Sequence, residues 1–247
     1  MDKWTTKRQY TFEDFIELMQ VLRSENGCPW DREQTHESLK PCVMEEAAEL
    51  CSAIRIYDHT GDCENMVEEL GDLLLQVAMH SVIADEEGLF TIQDVIQKEA
   101  EKMIRRHPHV FGTVQAEDSE QVLANWEDIK KKEKEGKTWI ESPLQEIPRE
   151  LPALTRAVKL LKKIDKLYEK RETYPQVTEG LEKSVQQLRQ LTPEVYDKEL
   201  SRYVGDMLIQ IADICRIYKL TPEQILTDRL EDMIDCYEPA KKQEKNS

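Results

Sequence analysis

The sequence predicts an all-α protein. Apolar residues recur at helical spacing along most of the chain, whereas sustained period-two alternation and hairpin dipeptides are absent. Charged residues make up 34% of the 247 residues and aromatic residues 6%, with only 8 glycines and 10 prolines. This composition is typical of a helical protein. The length suffices for one large or two small domains, each with its own core.

Helix start and stop signals divide the first half of the chain. Residues 1–10 are expected to form a loose polar lead, and Thr11-Phe12-Glu13-Asp14 resembles a capping box that starts the first helix. Cys28-Pro29-Trp30-Asp31 is expected to break that helix, and Gly88 is a natural C-terminal cap for a later one. The predicted helices are residues 12–26, 35–57 (which Pro41 kinks or begins), 63–87, 91–106 (stopped by His107-Pro108-His109) and 119–136.

A proline-rich stretch separates the two halves. Residues 138–152 contain three prolines, which indicates a linker between a domain at residues 1–137 and a domain at residues 153–247. In the second half, Thr192-Pro193 and Thr221-Pro222 each place a capping threonine before a proline at the first helical position. Helices are expected there at residues 153–172, 177–191, 193–219 and 222–237.

Charge and cysteine content limit the classes of partner. A formal net charge of −16 argues against a general binder of nucleic acid or of anionic membranes. No apolar run approaches the roughly 18 residues of a membrane span, and no signal peptide is recognisable. The 6 cysteines include no CxxC pair, which favours free thiols in a reducing cytosol. We therefore expect a cytoplasmic protein that binds neither nucleic acid nor membranes.

Two acidic turns dominate the first half: Glu45-Glu46-Ala47-Ala48-Glu49 and Glu68-Glu69-Leu70-Gly71-Asp72. Side chains three or four residues apart share a helix face, so each turn projects a carboxylate pair. On a helical wheel these pairs border apolar stripes rather than lying opposite them. The stripes are Val43, Ala47, Leu50 and Ile54 in one helix, and Leu70, Leu73, Leu74 and Val77, flanked also by Gln76, in the other. Two antiparallel helices would bring the carboxylates together.

Carboxylates gathered in this way repel one another unless they take up protons or bind a cation. All-oxygen ligation suits Mg²⁺, Mn²⁺ or Ca²⁺, and Mg²⁺ leaves coordination positions for substrate phosphates. An ordinary solvated acidic surface is the alternative, because glutamate is a good helix former and the chain is acidic throughout.

Part of the second acidic helix is repeated later in the chain. Residues 71–78 (GDLLLQVA) recur in register as residues 205–212 (GDMLIQIA), which suggests a duplication. Arg202 and Tyr203 stand where Glu68 and Glu69 stood, and the facing segment lacks an EExxE pattern. We therefore expect the second domain to be a degenerate copy that kept its core and lost most of its acidic cluster.

A set of short motifs runs through residues 11–135. They are Cys28-Pro29-Trp30-Asp31, Gln34-Thr35, the EExxE of 45–49, the EELGDLLLQV of 68–77, the RRHPHVF of 105–111 and Val122-Leu123-Ala124-Asn125-Trp126. Together they resemble the MazG family of nucleoside triphosphate pyrophosphohydrolases, and the duplicated layout extends the resemblance to the C-terminus. The resemblance implies two tandem helical-bundle domains of the all-α NTP pyrophosphatase type, assembled as a homodimer.

The resemblance also implies a reaction and a metal site. The family cleaves nucleoside triphosphates to monophosphate and pyrophosphate with Mg²⁺, for which Mn²⁺ is a possible substitute. Its metal ligands fall on Glu46, Glu49, Glu69 and Asp72. Glu45 is a further candidate, as a ligand or as the base that orients the attacking water.

Basic residues of the family match a second region. Its phosphate-contacting positions fall on Lys102 and Arg106, with Arg105 beside them, and Trp126 and Lys130 match positions near the nucleotide. Lysine and arginine stabilise the charge that develops on the phosphate oxygens when water attacks the α-phosphorus. The alternatives are a basic helix end that complements the helix dipole, and a tryptophan in the core or at a dimer contact.

Two other functions compete with this hypothesis. Di-iron carboxylate proteins use paired Glu-x-x-His motifs in a four-helix bundle, and Glu33-x-x-His36 is the one such motif here. The other rival is a non-catalytic regulatory or scaffold protein. Within the favoured hypothesis, housecleaning of damaged nucleotides and broad triphosphate hydrolysis both stay open.

Overall fold

The computed structural model describes residues 3–6, 9–114, 118–133, 142–191 and 198–237. Within those ranges every regular element is a helix, so the all-α prediction is confirmed. The chain divides into two compact units, residues 1–135 and 136–247. The helices are α1 (Lys3–Thr6), α2 (Phe12–Arg23), α3 (Pro29–Glu33), α4 (His36–Thr60), α5 (Glu64–Glu86), α6 (Ile92–Arg106), α7 (Pro108–Phe111), α8 (Ser119–Lys132), α9 (Ala153–Tyr168), α10 (Tyr174–Gln190), α11 (Lys198–Ile217) and α12 (Pro222–Tyr237).

The first unit is organised around the pair α4 and α5, which the short turn at residues 61–63 joins. Helices α2 and α6 pack against α5, and α8 packs against α6. The core lies at the end of the pair where α2 covers it, and it consists of Met19, Leu39, Ala78, Met79, Val82 and Ile83. The opposite end, which carries the acidic turns, lies outside this buried apolar cluster.

Local capping explains where several helices begin and end. Thr11 with Asp14, and Thr91 with Asp94, form the capping boxes that start α2 and α6. Gly88 has a φ of 69°, and the Leu89 amide donates to the Ala84 carbonyl, as in a Schellman ending of α5. These three helix ends agree with the sequence prediction, because capping depends on residues close in the chain.

Some predicted boundaries were wrong. Residues 3–6, which were expected to belong to a loose lead, form α1. The predicted break at Cys28-Pro29-Trp30-Asp31 contains the start of α3, because Pro29 suits the first position of a helix. The Arg23 guanidinium, which donates to the carbonyls of Asp31 and Gln34, holds the end of this short helix.

Other helix ends are shifted. Helix α4 begins before Pro41 and continues through it to Thr60, past the predicted end at residue 57. Pro108, predicted as part of a stop, also begins α7. Helix α9 ends at Tyr168 rather than residue 172, and α10 begins at Tyr174 rather than residue 177. The predicted stop at Gly136, the first part of the predicted linker and Thr192-Pro193 lie outside the described residues.

The second unit packs α11 between α9 and α10, with α12 against α9 and α11. Val158, Val177, Ala212 and Cys215 are buried apolar or thiol side chains in it. The same unit buries Asp213 and Arg216, which form an ion pair. In the described part of the chain, no helix is long and apolar enough to cross a membrane.

Candidate active site

The acidic residues lie on the face along which α4 and α5 meet. On α4, Glu46 is half-buried on the side that carries the buried residues Leu39 and Ala53, one heptad before and after it. On α5, Glu69 and Asp72 are half-buried on the corresponding side. The heptad spacing explains the placement, because residues seven apart return to nearly the same face of a helix.

Part of each predicted apolar stripe is exposed. Leu70, Leu74 and Val77 are 50%, 40% and 42% exposed, and Ile54 of α4 is exposed as well. These side chains point away from the α4–α5 contact, whereas the carboxylates lie in it. The helical wheel identified the stripes and the carboxylates beside them, but it did not show which of the stripe residues stay exposed.

Three carboxylates converge between the two helices. Ligand oxygens of Glu46, Glu49 and Glu69 all lie within 4.8 Å of one another. Asp72 lies outside this tight group but close enough for its charge to act on both Glu46 and Glu69. Glu45 is exposed on α4, and its charge acts on Glu46. An all-oxygen set of this kind can hold a hard divalent cation.

The electrostatics of the cluster fit a cation site. Burial, and then the negative charges of Asp72, Glu69 and Glu45, raise the pKa of Glu46. Burial also raises the pKa of Glu69, with further contributions from Glu49 and Asp72. A cation placed among these groups would reverse the repulsion that raises both pKa values.

Two amides hold the carboxylates in place. Asn65 Nδ2 donates to Glu69 Oε1 over 2.9 Å, and the Gln76 side-chain amide lies close enough to Glu46 to lower the pKa of that carboxyl. The second oxygen of Glu69 and the carbonyl oxygen of Gln76 are buried and have no hydrogen-bond partner among the residues that the structure describes. Unpartnered buried oxygens are uncommon in proteins, and here they add two potential acceptors for a cation or its water shell. The sequence pattern placed Gln76 beside the stripe, but the supporting role of Asn65 was missed, because a single asparagine carries no periodic signal.

The basic residues form a second cluster around Glu133. Arg105 and Arg106, at the end of α6, both form ion pairs with the Glu133 carboxylate, which directly follows α8. The Arg106 guanidinium also lies over the Trp126 ring, 5.0 Å from its centroid, and the His107 ring meets the same indole edge-on at 5.1 Å. The structure therefore brings together Arg105, Arg106 and Trp126 of the predicted substrate-binding set.

The remaining predicted cations lie nearby on the same helices. Lys102 pairs with Glu99 one turn earlier on α6 and lines an open cavity of about 360 Å³ that also includes Phe90 and Lys98. Lys130 lies half-buried on α8, one turn after Trp126.

The histidines are placed differently from a di-iron site. Glu33 ends α3 while His36 begins α4, so the Glu-x-x-His motif does not lie on one helix. His36 Nδ1 instead hydrogen-bonds His80 Nδ1 over 2.7 Å, with the two rings stacked. The group of potential ligands found among the described residues contains no histidine. The geometry therefore gives no support to the di-iron hypothesis.

The helix pair α10 and α11 repeats the spacing of α4 and α5. Gln210 follows Gly180 by the same number of residues as Gln76 follows Glu46. The two residues are also in contact, since a Cβ atom on Gly180 would lie 2.7 Å from Gln210 Nε2. Gln210 Oε1 accepts a hydrogen bond from Ser184 over 3.3 Å. The glutamine thus faces bare backbone where its counterpart faces a carboxylate.

When the repeat at residues 205–212 is used to align the two helix pairs, most of the acidic residues are aligned with other residue types in the second unit. The counterparts are Gly180 for Glu46, Lys183 for Glu49, Tyr203 for Glu69 and Asp206 for Asp72. Arg202 lies against the Tyr203 ring, 4.8 Å from its centroid. The described residues of this unit contain no group of three acidic, histidine or cysteine side chains able to hold a metal ion.

The protein therefore belongs to the class of helical proteins in which two helices bring carboxylates together in an acidic site that can hold a metal ion. Residues 34–111 match the family described as the MazG nucleotide pyrophosphohydrolase domain. The chain belongs to the MazG family, whose domain is a hydrolase acting on acid anhydride bonds.

Three relatives illustrate the similarity. The nucleoside triphosphate pyrophosphohydrolase/pyrophosphatase MazG of Thermotoga maritima is 39% identical over 226 residues, which cover 92% of this chain and 84% of the relative. The nucleoside triphosphate pyrophosphohydrolase of Escherichia coli (strain K12) is 38% identical over 216 residues, 81% of this chain and 76% of the relative. YabN of Bacillus subtilis (strain 168) is 42% identical over 219 residues, and the match spans 88% of this chain but only 44% of YabN.

Proposed function

We propose that this chain is a Mg²⁺-dependent nucleoside triphosphate pyrophosphohydrolase, which converts an NTP or dNTP and water to the (d)NMP and pyrophosphate. Mn²⁺ is the expected substitute for Mg²⁺. The observation that carries the proposal is the convergence of Glu46, Glu49 and Glu69 within 4.8 Å in a member of the MazG family. The proposal places the reaction in the cytoplasm, with nucleotides rather than nucleic acids or membranes as partners.

The carboxylates are assigned to the metal. Glu46, Glu49, Glu69 and Asp72 would hold Mg²⁺, which when bound stabilises negative charge on the phosphate oxygens. Asn65 and Gln76 would keep Glu69 and Glu46 oriented toward it. Glu45, exposed beside the cluster, is proposed as a further ligand or as the group that orients and deprotonates the attacking water.

The basic cluster is assigned to the phosphates. Cleavage between the α- and β-phosphates leaves charge on the departing pyrophosphate, which Lys102 and Arg106, with Arg105 beside them, are proposed to stabilise. Trp126 and Lys130 are proposed to lie near the nucleotide. Because the Arg106 guanidinium already covers the Trp126 ring, the indole would act in part by orienting that arginine.

A homodimer is part of the proposal. Leu70, Leu74 and Val77 form an exposed apolar stripe on α5, and Met44 and Ile54 are exposed on α4. Such a face beside a polar site is unfavourable in water, and a second copy of the chain would cover it. The acidic cluster would then lie at the edge of the dimer contact.

The second unit is proposed to be a degenerate, catalytically silent MazG-like domain. Its loss of three of the four carboxylates supports this assignment, since Asp206 alone cannot hold a hard cation. Val204, Leu208 and Ile211 are exposed on α11 at the positions of Leu70, Leu74 and Val77. The copy therefore keeps an apolar outer face and is proposed to serve in assembly.

The test is a panel of standard and modified NTPs and dNTPs incubated with Mg²⁺, with products separated so that pyrophosphate is distinguished from orthophosphate. We expect pyrophosphate and a nucleoside monophosphate in equal amounts. A nucleoside diphosphate as the main product would refute the reaction, and absence of turnover on every nucleotide would favour the scaffold alternative. A strong preference for modified nucleotides would indicate housecleaning, whereas similar rates would indicate a broad hydrolase.

A further inference from the structure

We propose that Glu133 is a positioning residue for the phosphate-binding arginines, which holds Arg105 and Arg106 in the orientation that receives the triphosphate. This inference rests on the proposed function, because it assigns those arginines to substrate phosphates. Neither the motifs nor the family resemblance assigned a role to Glu133.

The contacts divide one carboxylate between two guanidinium groups. Glu133 Oε1 accepts from Arg105 Nε at 2.8 Å and lies 2.7 Å from Arg105 Nη2 in an ion pair. Glu133 Oε2 accepts from Arg106 Nε at 3.1 Å and from Arg106 Nη2 at 2.6 Å. Each oxygen thus contacts two nitrogen atoms of one arginine, which orients both guanidinium planes relative to the carboxylate.

The arrangement leaves donors for a ligand. Both arginines present the edge formed by Nε and Nη2 to Glu133, and their Nη1 groups make no hydrogen bond within the described part of the chain. Two guanidinium charges with one carboxylate leave a net positive charge at the cluster. An anion can therefore still be attracted while the arginines remain held.

Burial makes the contact rigid. The side chains of Glu133 and Arg106 are each 14% exposed, and the Trp126 ring covers the other side of Arg106. Hydrogen bonds from Arg106 and Arg105, which outweigh the opposing effect of burial, lower the pKa of Glu133 to about 2. The carboxylate therefore stays ionised, and the arginines stay paired, throughout the neutral range.

Positioning is the physical consequence. An unrestrained arginine samples many rotamers, and two adjacent guanidinium groups repel one another. Glu133 removes both difficulties before the substrate arrives, which lowers the entropy lost on binding. The Glu133 carboxylate would compete with phosphate only if the ligand needed the Nε–Nη2 edges of the arginines. In that case substitution of Glu133 would tighten phosphate binding instead of weakening it.

The experiment compares Glu133→Gln with Glu120→Gln in the full chain. Glutamine keeps the shape of Glu133 but offers one carbonyl oxygen in place of two charged acceptors. Glu120 is exposed in the first turn of α8, the helix that Glu133 directly follows, so its substitution makes the same charge change away from the arginines. We measure KM and kcat for a triphosphate with Mg²⁺, and the dissociation constant of inorganic tripolyphosphate with Mg²⁺ by calorimetry.

We expect Glu133→Gln to raise KM and the tripolyphosphate dissociation constant by about tenfold, with kcat changed by less than about threefold. Glu120→Gln should change neither. Glu133→Asp, whose shorter carboxylate reaches the two guanidinium groups less well, should give an intermediate rise. Should Glu133→Gln fail to fold, as judged by circular dichroism, the aspartate variant decides by the same criterion.

Unchanged or tighter binding in a folded Glu133 variant would overturn the inference, since Glu133 would then merely tie α8 to α6 or compete with phosphate. Failure of the wild-type chain to bind tripolyphosphate would overturn it as well. If wild-type protein binds tripolyphosphate but hydrolyses no nucleotide, the proposed function fails, and the tripolyphosphate comparison still tests Glu133.

Discussion

The Gln76 side-chain amide lies close enough to Glu46, across the α4–α5 contact, to lower the pKa of that carboxyl, and its own carbonyl oxygen is buried with no hydrogen-bond partner among the described residues. In the second unit the equivalent glutamine, Gln210, lies against Gly180, where no side chain can accept a hydrogen bond. The packing position of the glutamine is thus retained in both helix pairs, while the carboxylate that it supports is present in only one. The packing of the helix pair therefore does not depend on the carboxylate, whereas the proposed chemistry does.

Replacement of Asp72 and Asp206 by alanine tests where the chemistry occurs. Asp72→Ala should lower kcat by on the order of 10²-fold, because a bound metal supplies several kcal/mol of charge stabilisation. Asp206→Ala, at the equivalent position beside Tyr203, should leave kcat within about twofold. Steady-state kinetics on both variants decides the matter. A large loss from Asp206→Ala in a folded protein would mean that the second unit contributes to catalysis.

Neutralising Glu46 should stabilise the protein in the absence of a divalent cation. The negative charges of Asp72, Glu69 and Glu45 act on Glu46, and glutamine removes that repulsion while its carbonyl can still accept from Gln76. We expect Glu46→Gln to raise the Tm in EDTA by about 2 °C and to reduce the further rise that Mg²⁺ produces in wild-type protein. Differential scanning calorimetry with and without Mg²⁺ measures both effects. Glu25→Gln, an exposed site outside the cluster, is the control, and an equal rise in that variant would argue against local repulsion.

The exposed stripe on α5 predicts self-association. Leu74→Gln should weaken the homodimer by about tenfold, because it replaces apolar contact at the proposed interface with a polar amide. Leu89→Gln changes a residue that is also exposed but lies beyond the end of α5, and it should have no effect. Sedimentation velocity over a concentration series measures the dissociation constants. A wild-type protein that stays monomeric at every concentration would contradict the assignment of this face.

His80 predicts a dependence of stability on pH. Burial, and then the neighbouring His36, lower the pKa of His80 below 6.5. As pH falls below about 6.5, the unfolded chain takes up a proton at this histidine before the folded chain does. The contribution of His80 to the free energy of unfolding is therefore fully present above about pH 6.5, and it is lost as pH falls through the pKa of His80 in the folded chain. We expect the free energy of unfolding to fall more steeply between about pH 7 and pH 5 in wild-type protein than in His80→Gln. Urea unfolding at several pH values gives the slope of the free energy of unfolding against pH for each protein. The exposed His59→Gln variant is the control. Equal slopes in all three proteins would exclude His80 as the cause of the pH dependence.

The sequence alone predicts the helical class, the capping box at Thr11, the helix that starts at Thr91 and the glycine ending of α5. It also singled out the residues that meet in the acidic cluster. These features depend on residues within one or two turns of each other, whose hydrogen bonds and side-chain spacing are set by the helix itself. The EExxE pattern and the repeat at residues 205–212 were likewise visible as letters alone.

Which side of each helix packs within the chain depends on the tertiary structure and could not be predicted from the sequence pattern. Helices α4 and α5 each carry an apolar outer stripe and a second face on which carboxylates alternate with buried residues such as Leu39 and Ala53. A helical wheel ranks faces by hydrophobicity, and it does not show which face packs against another helix of the same chain. Contacts between distant segments, such as Glu133 with Arg106 and Gln76 with Glu46, were also beyond the sequence pattern. They depend on how α8 meets α6 and α5 meets α4, and no local spacing encodes that relationship.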